Sequence, residues 1–256
     1  MHCCGTFSPA AEAGVIVLNS ESAKESLFLY FLLAFLILAA AFCLRAVYVG
    51  YFGDDGRNIT SHAGERRGII IDPGHGGKDG GAVSVTGTSE KELNLSVSAS
   101  LDEIMTALGY RVIMTRDSDT ELTSERGGSR KMQDLLGRLE ISEKNPGLPL
   151  VSIHMNKFGK EKYSGLQVYY SVNDPMGKIL ADSVQGMVKS LIQPLNTRKT
   201  KAATSAIMLL DRINSPGILV ECGFISNKSE AALLETAEYR IKLSLAIAAG
   251  IVDSRA

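Results

Sequence analysis

The stretch Ile69-Ile70-Ile71-Asp72-Pro73-Gly74-His75-Gly76-Gly77 packs a buried strand, its end and a polar turn into nine residues. A short apolar run bounded by Pro and Gly reads as a strand feeding a sharp turn. Glycines on both sides of His75 let the backbone turn tightly and leave the imidazole uncrowded. Two other runs end in the same way: Leu150-Val151-Ser152-Ile153 meets His154, and Ile218-Leu219-Val220 meets Glu221. Tyr110–Met114, Leu166–Tyr170 and Ala206–Leu210 read as further strands. Between them, Leu93, Val97, Leu101, Ile104 and Leu108 form one apolar stripe at helical spacing. Met176, Ile179, Leu180, Val184, Met187, Val188, Leu191 and Ile192 form a second. More helices are expected at about Arg130–Glu143, Lys228–Leu234 and Glu238–Val252. Strands alternating with helices imply an α/β fold, a mostly parallel twisted sheet of about six strands flanked by helices. In such a sheet the functional crevice lies outside the carboxyl ends of the strands, where the three polar endings would converge.

That convergence selects the candidate chemistry. Ser89 and Glu92 mark a helix start with the spacing of a capping box, which turns Glu92 back on the backbone. Glu90 instead lies three residues before Leu93 and shares the inward stripe, and a carboxylate on an apolar face needs a partner. An Arg or Lys would serve, and so would a metal ion. His75, Glu90 and His154 form a His-Glu-His set, the composition of catalytic zinc sites that keep a fourth position open. Structural zinc sites usually close all four positions with Cys or His. Glu221, at the same edge, would then be a general base taking a proton from water. Taken alone, His75 is equally an incidental histidine in an ordinary turn.

The chain has 256 residues, with 27 Lys+Arg against 28 Asp+Glu, a net charge of −1 and a pI near 6.4. That balance excludes a nucleic-acid binder working by bulk charge, and a 45% hydrophobic fraction excludes a largely disordered chain. Leu27–Leu44 runs 18 residues without a charge. As a helix it would be roughly 27 Å long, close to a hydrocarbon core of about 30 Å. Residues 1–49 are therefore expected to be a signal peptide or membrane anchor, 50–67 a polar linker, and 68–256 a single catalytic domain. Cys3 and Cys4 precede the apolar span, Cys43 lies inside it, and Cys222 is the one thiol of the remaining domain, so no internal disulfide is expected there.

Four ordered segments resemble the motifs of zinc-dependent N-acetylmuramoyl-L-alanine amidases of the amidase-3 type. They are Ile71–Gly77, Glu90-Lys91-Glu92-Leu93-Asn94-Leu95, Ser152-Ile153-His154-Met155-Asn156 and Val220-Glu221-Cys222-Gly223-Phe224-Ile225-Ser226-Asn227. The likeness spans Gly68 to about Val252. Thr115–Leu122, with Arg130-Lys131 beyond, is similar to the germination-specific branch, which prepares muramic-lactam in spore-cortex peptidoglycan. The resemblance implies Zn2+ held by His75, Glu90 and His154, with Glu221 as the catalytic glutamate. Arg138, where members of the family often carry an arginine near the cleft, is a candidate partner for a peptide carboxylate, and Asn156 is a second candidate substrate contact. It further implies peptidoglycan as substrate, an exported location in the cell wall or forespore intermembrane space, and no nucleic-acid partner. Membrane contact would come through the N-terminal segment if that segment is not cleaved.

Other readings stay open at this level. The same fold can be a wall-binding module without turnover. A phosphate-binding hydrolase could use the glycine-rich turn, although Gly76-Gly77-Lys78-Asp79 lacks the Gly-Lys-Ser/Thr ending of a phosphate loop. Cys222 with His154 could form a thiol hydrolase. Arg198-Lys199-x-Lys201 could touch an anionic strand, or simply be a solvated loop.

Overall fold

A computed structural model describes residues 67–255. The expected leader or anchor and nearly all of the expected linker lie outside the described residues. In chain order the elements are β1 (Gly68–Pro73), α1 (Glu90–Ala107), β2 (Arg111–Met114), α2 (Arg130–Glu143), β3 (Leu150–Asn156), β4 (Gln167–Tyr170), α3 (Pro175–Leu191), β5 (Lys201–Ala202), α4 (Met208–Arg212), β6 (Gly217–Phe224), α5 (Lys228–Leu234) and α6 (Ala237–Asp253). They form the expected α/β domain around a six-stranded sheet of order β2-β1-β3-β6-β4-β5. Neighbours from β2 through β6 run parallel, and β4 is antiparallel to β6. The chain steps from β1 to β2 on one side and then crosses to β3 on the other. That reversal opens a crevice at the carboxyl ends of β1 and β3.

Strand parity sorts the core into two layers. Ile69, Ile71, Val151, Ile153, Ile218, Val220 and Cys222 face α1, α3 and α6 in the larger cluster. Ile70, Leu150 and Leu219 point the other way, toward Leu139 of α2 and Leu209 and Leu210 of α4. By the same alternation Asp72, Ser152, His154 and Glu221 belong on the α2/α4 face. On the first stripe Leu93, Val97 and Leu101 are buried, whereas Leu108 has left the helix and is exposed. On the second, Leu180, Val184 and Val188 are buried while Met176, Ile179 and Leu191 reach solvent.

One expected strand is a helix. Ala206–Leu210 lies largely in α4, and the sixth strand is the two-residue β5. A short apolar run carries no decisive period. Here Leu209, Leu210 and Ile213 are buried together, and the Asp211 and Ile213 N–H groups donate to the Ile207 and Leu209 carbonyls, both at 3.0 Å.

Helices α3 and α6 approach so closely that a Cβ at Gly250 would lie 2.5 Å from Val184 Cα. Since that neighbour is backbone, Gly250→Leu must push the helices apart. We expect it to lower unfolding stability in urea by about 1–3 kcal/mol, with an unchanged m-value.

Candidate metal centre

The turn after β1 is built for close approach. The Gly74 N–H donates to the Ile153 carbonyl at 3.0 Å. A Cβ at Gly74 would fall 2.3 Å from the His154 ring, so only glycine lets the imidazole lie against this backbone. His75 is the one non-glycine residue with a left-handed backbone among the described residues, at φ 60°. Two arginines grip the carbonyls around it. Arg116 donates to Pro73 O at 3.0 Å and Gly74 O at 2.9 Å. Arg138 donates to Pro73 O at 2.8 Å and His75 O at 2.7 Å.

Three side chains then meet. Glu90 Oε1 lies 3.2 Å from His75 Nε2 and 3.0 Å from His154 Nδ1. Each of the three residues can offer an atom within 4.8 Å of the other two. A tetrahedral ion with bonds of about 2.0–2.1 Å separates its ligand atoms by about 3.3 Å, so this spacing fits a first-row cation. On the far side of its ring, His75 Nδ1 pairs with Asp79 Oδ2 at 3.0 Å. Such a contact fixes the tautomer and leaves Nε2 free to ligate. Glu90 Oε2 accepts the Ala82 N–H at 2.9 Å and Oε1 the Met155 N–H at 3.2 Å, which aims the carboxylate. Gly81 is needed beside it, because a Cβ there would meet Glu90 Oε2 at 2.7 Å. As the spacing predicts, Glu92 turns back to accept the Ser89 N–H, at 3.4 Å.

Glu221 stands next to His154 in the register of β3 and β6. Its Oε2 is shielded from solvent and has no hydrogen-bond partner. The two carboxyls are driven apart. Burial pushes Glu221 up to about 7, with Glu90 adding to the rise and both histidines opposing it. Burial would also raise Glu90, but His154 and His75 outweigh it and hold Glu90 well below the usual carboxylate range. Glu221 borders a cavity of about 470 Å³, lined on one side by Asp72, Ser152, His75, His154 and Glu221 and on the other by α2 and α4.

The remaining sequence candidates divide. Arg138 lines the cavity, but its donors are already committed inside the protein: Nε and Nη2 to Asp134, Nη1 to Asp72 and Pro73 O, and Nη2 to His75 O. It therefore holds the metal-site turn and has no N–H left for the peptide carboxylate anticipated for it. Asn156 ends β3 and is not among the residues lining the cavity. Cys222 packs with Val220 on the opposite sheet face from His154, so the thiol-hydrolase pair does not form. The amides of Lys78 and Asp79 are spent on Glu121, and that of Gly77 on Asp119, which leaves no phosphate nest in the turn. Arg198 is bound to Ser164 O and Gln167 and lies over the Phe224 ring at 4.4 Å. Sequence reasoning missed Asp79, Arg116 and the clamping role of Arg138. The one available hint was Asp79 four residues after His75.

Comparison with known proteins agrees with this geometry. Residues 69–253 match the model of the Amidase_3 family, described as N-acetylmuramoyl-L-alanine amidase. The germination-specific N-acetylmuramoyl-L-alanine amidase of Bacillus subtilis (strain 168) is 34% identical over 236 residues, covering 90% of this chain and 94% of that protein. AmiA of Escherichia coli (strain K12), another such amidase, is 28% identical over 235 residues, covering 75% of this chain and 77% of that protein. The CwlD amidase of Clostridioides difficile, solved in complex with the GerS lipoprotein, superposes with a TM-score of 0.69 at 36% identity, covering 74% of this chain and 98% of that one.

The raised Glu221 carboxyl has a stability consequence. Between the ordinary value of 4.5 and about 7 the native state holds a proton that the unfolded chain has lost, so this group costs stability as pH rises through that window. In metal-stripped protein, Glu221→Gln is expected to melt several degrees above the parent at pH 8. The gap should shrink toward zero as the pH falls to about 4.5, which thermal scans across pH will read directly.

Proposed function

From the premise that this chain belongs to the Amidase_3 family and is an N-acetylmuramoyl-L-alanine amidase, we propose that it uses Zn2+ at His75, Glu90 and His154, with Glu221 as general base and acid. The bond cut is the amide between the lactyl group of N-acetylmuramic acid and the L-alanine of the stem peptide. The observation that carries this reading is the shielded, unpartnered Glu221 Oε2 beside three converging ligand atoms. A His-Glu-His set supplies three of zinc's four positions and leaves one for chemistry. When bound, the cation supplies Lewis acidity, favouring ionisation of water and polarising the scissile carbonyl. Glu221 takes a proton from the attacking water as the C–O bond forms. It returns that proton to the alanine nitrogen as the C–N bond breaks, since an amine leaves poorly unprotonated. His75 and His154 would ligate the cation, the first oriented by Asp79. All four functional positions carry competent groups, which favours turnover over a binding-only module.

The substrate lies outside the cytoplasm, so the domain acts after export, with residues 1–49 as signal peptide or anchor and 50–67 as a tether. Within the family we assign it to spore cortex, where amidase action precedes muramic-lactam formation. Support comes from the germination-specific relative, aligned over most of both chains, and from the CwlD amidase as a structural neighbour.

Glu221→Gln should keep stoichiometric zinc while release of new L-alanine amino termini from purified peptidoglycan falls at least about 100-fold. Full activity in that variant would refute the base assignment. His75→Ala should lose the metal, and stoichiometric zinc in that protein would refute the ligand assignment. Cortex from spores lacking this protein should contain no muramic-lactam by mass spectrometry of its fragments.

A further inference from the structure

The cavity holding Glu221 extends well beyond the reacting centre, and its two walls differ in character. The sheet wall is polar and carries His75, His154 and Glu221. The helical side offers an apolar strip, Met132 and Leu135 of α2 with Ile207, Met208 and Leu209 at α4, beside the charged Lys131, Asp134 and Arg138 of α2. At about 470 Å³ it falls in the range of clefts that enclose a small organic ligand or short peptide.

One cation stands at its rim. Lys131 is exposed and lines the cavity, and it makes no hydrogen bond or ion pair among the described residues. The acidic groups that face it are already engaged. Asp79 is held by His75 and the Gly81 N–H, Asp134 by Arg138 and the Leu122 N–H, and Glu121 by Arg130 and the Lys78 N–H. With the donors of Arg138 all committed, Lys131 is the positive group left to meet an incoming anion.

We propose that Lys131 is a specificity residue of this cavity, reading the free α-carboxylate of the second stem residue. The inference rests on the amidase reading above, in which the stem peptide reaches the centre through this cavity, and adds the residue that meets its charge. A glycan strand is a continuous, hydroxyl-rich polymer. It has to run along an open surface, and it gains little from Met, Leu and Ile, which cannot hydrogen-bond its hydroxyls. A stem is a short branch that can enter between two helices. Its methyl and methylene groups match the apolar strip, and its free carboxylates match Lys131. An exposed pair of this kind contributes modestly, so Lys131 sets preference among stems and leaves the bond-breaking step alone.

The test uses the full zinc-loaded chain and two soluble muramoyl-tripeptides that differ only in whether the second stem residue carries a free α-carboxylate or its carboxamide. With turnover stopped by Glu221→Gln, adding Lys131→Met should raise Kd for the free acid about fivefold and leave Kd for the carboxamide unchanged. Lys131→Glu should weaken the free acid further. In the catalytically intact chain, Lys131→Met should raise KM for the free acid with kcat held within about twofold. Equal weakening of both probes, or none, overturns the assignment. If the parent releases L-alanine amino termini from peptidoglycan while the Lys131 variants do not discriminate between the probes, the Lys131 assignment alone falls. If the parent releases none yet discrimination persists, the hydrolytic reading falls and the peptide site stands.

Discussion

The buried ion pair between Asp72 and Arg138 ties β1 and its turn to β2, β3 and α2 beside the centre. Asp72 Oδ1 lies 2.5 Å from Arg138 Nη1 and accepts the Thr115 hydroxyl at 2.6 Å, while Oδ2 accepts the Ser152 hydroxyl at 2.6 Å. One carboxylate thus links the ends of β1, β2 and β3. The guanidinium extends the link to Asp134 on its own helix and to the His75 carbonyl. Burying two charges is costly, and the attraction between them offsets this only when the remaining lone pairs and protons are also satisfied. Here they are. Loss of either partner would leave an unpaired buried charge, typically a penalty of about 3–5 kcal/mol. Holding a non-glycine residue in a left-handed conformation costs of order 1–3 kcal/mol. The pair is therefore of a size that can hold His75 in its strained turn, with Arg116 sharing the task.

How much of this was legible in the sequence follows from the range over which each contact acts. Strand endings are local: three apolar runs leading into His75, His154 and Glu221 located the edge, while the register that sets His154 beside Glu221 came from the pairing of β3 and β6. The helical stripes were legible for the same reason, although they read wider than the faces they bury. Ala206–Leu210 was misjudged because a short apolar run is compatible with either period. The arginine clamp left no local signal at all, since Arg138 reaches partners 63 to 66 residues away. An isolated charge on a helix reads as solvated or cleft-facing until the fold brings acceptors to it.

The family resemblance placed Arg138 beside the cleft, and it is there, but the hydrogen-bond inventory changes its role. A guanidinium has five N–H groups and no acceptor. Once those groups are shared among Asp72, Asp134 and the carbonyls of Pro73 and His75, an anion arriving from solvent would have to break an internal bond to be received. Lys131, seven residues earlier on the same helix, carries no such commitment. The work of holding the site and the work of meeting substrate thus fall on different residues of α2.

The two glutamates of the centre show how position decides chemistry for one residue type. Both oxygens of Glu90 accept backbone N–H bonds and Oε1 also meets two imidazoles, so it is held ionised and aimed. Glu221 has a shielded oxygen with no hydrogen-bond partner. A carboxylate held ionised and aimed by its neighbours can present an oxygen to a cation, while its low proton affinity makes it a poor base. A carboxyl whose burial opposes ionisation, and whose oxygen is unpaired, can gain and lose a proton without first breaking a bond to the protein. Environments that push two neighbouring acids in opposite directions are the arrangement that separates an anchoring acid from a proton-transferring one. The difference is built into the fold, because the backbone donors around Glu90 and the burial of Glu221 are set by the strands and turns that carry them.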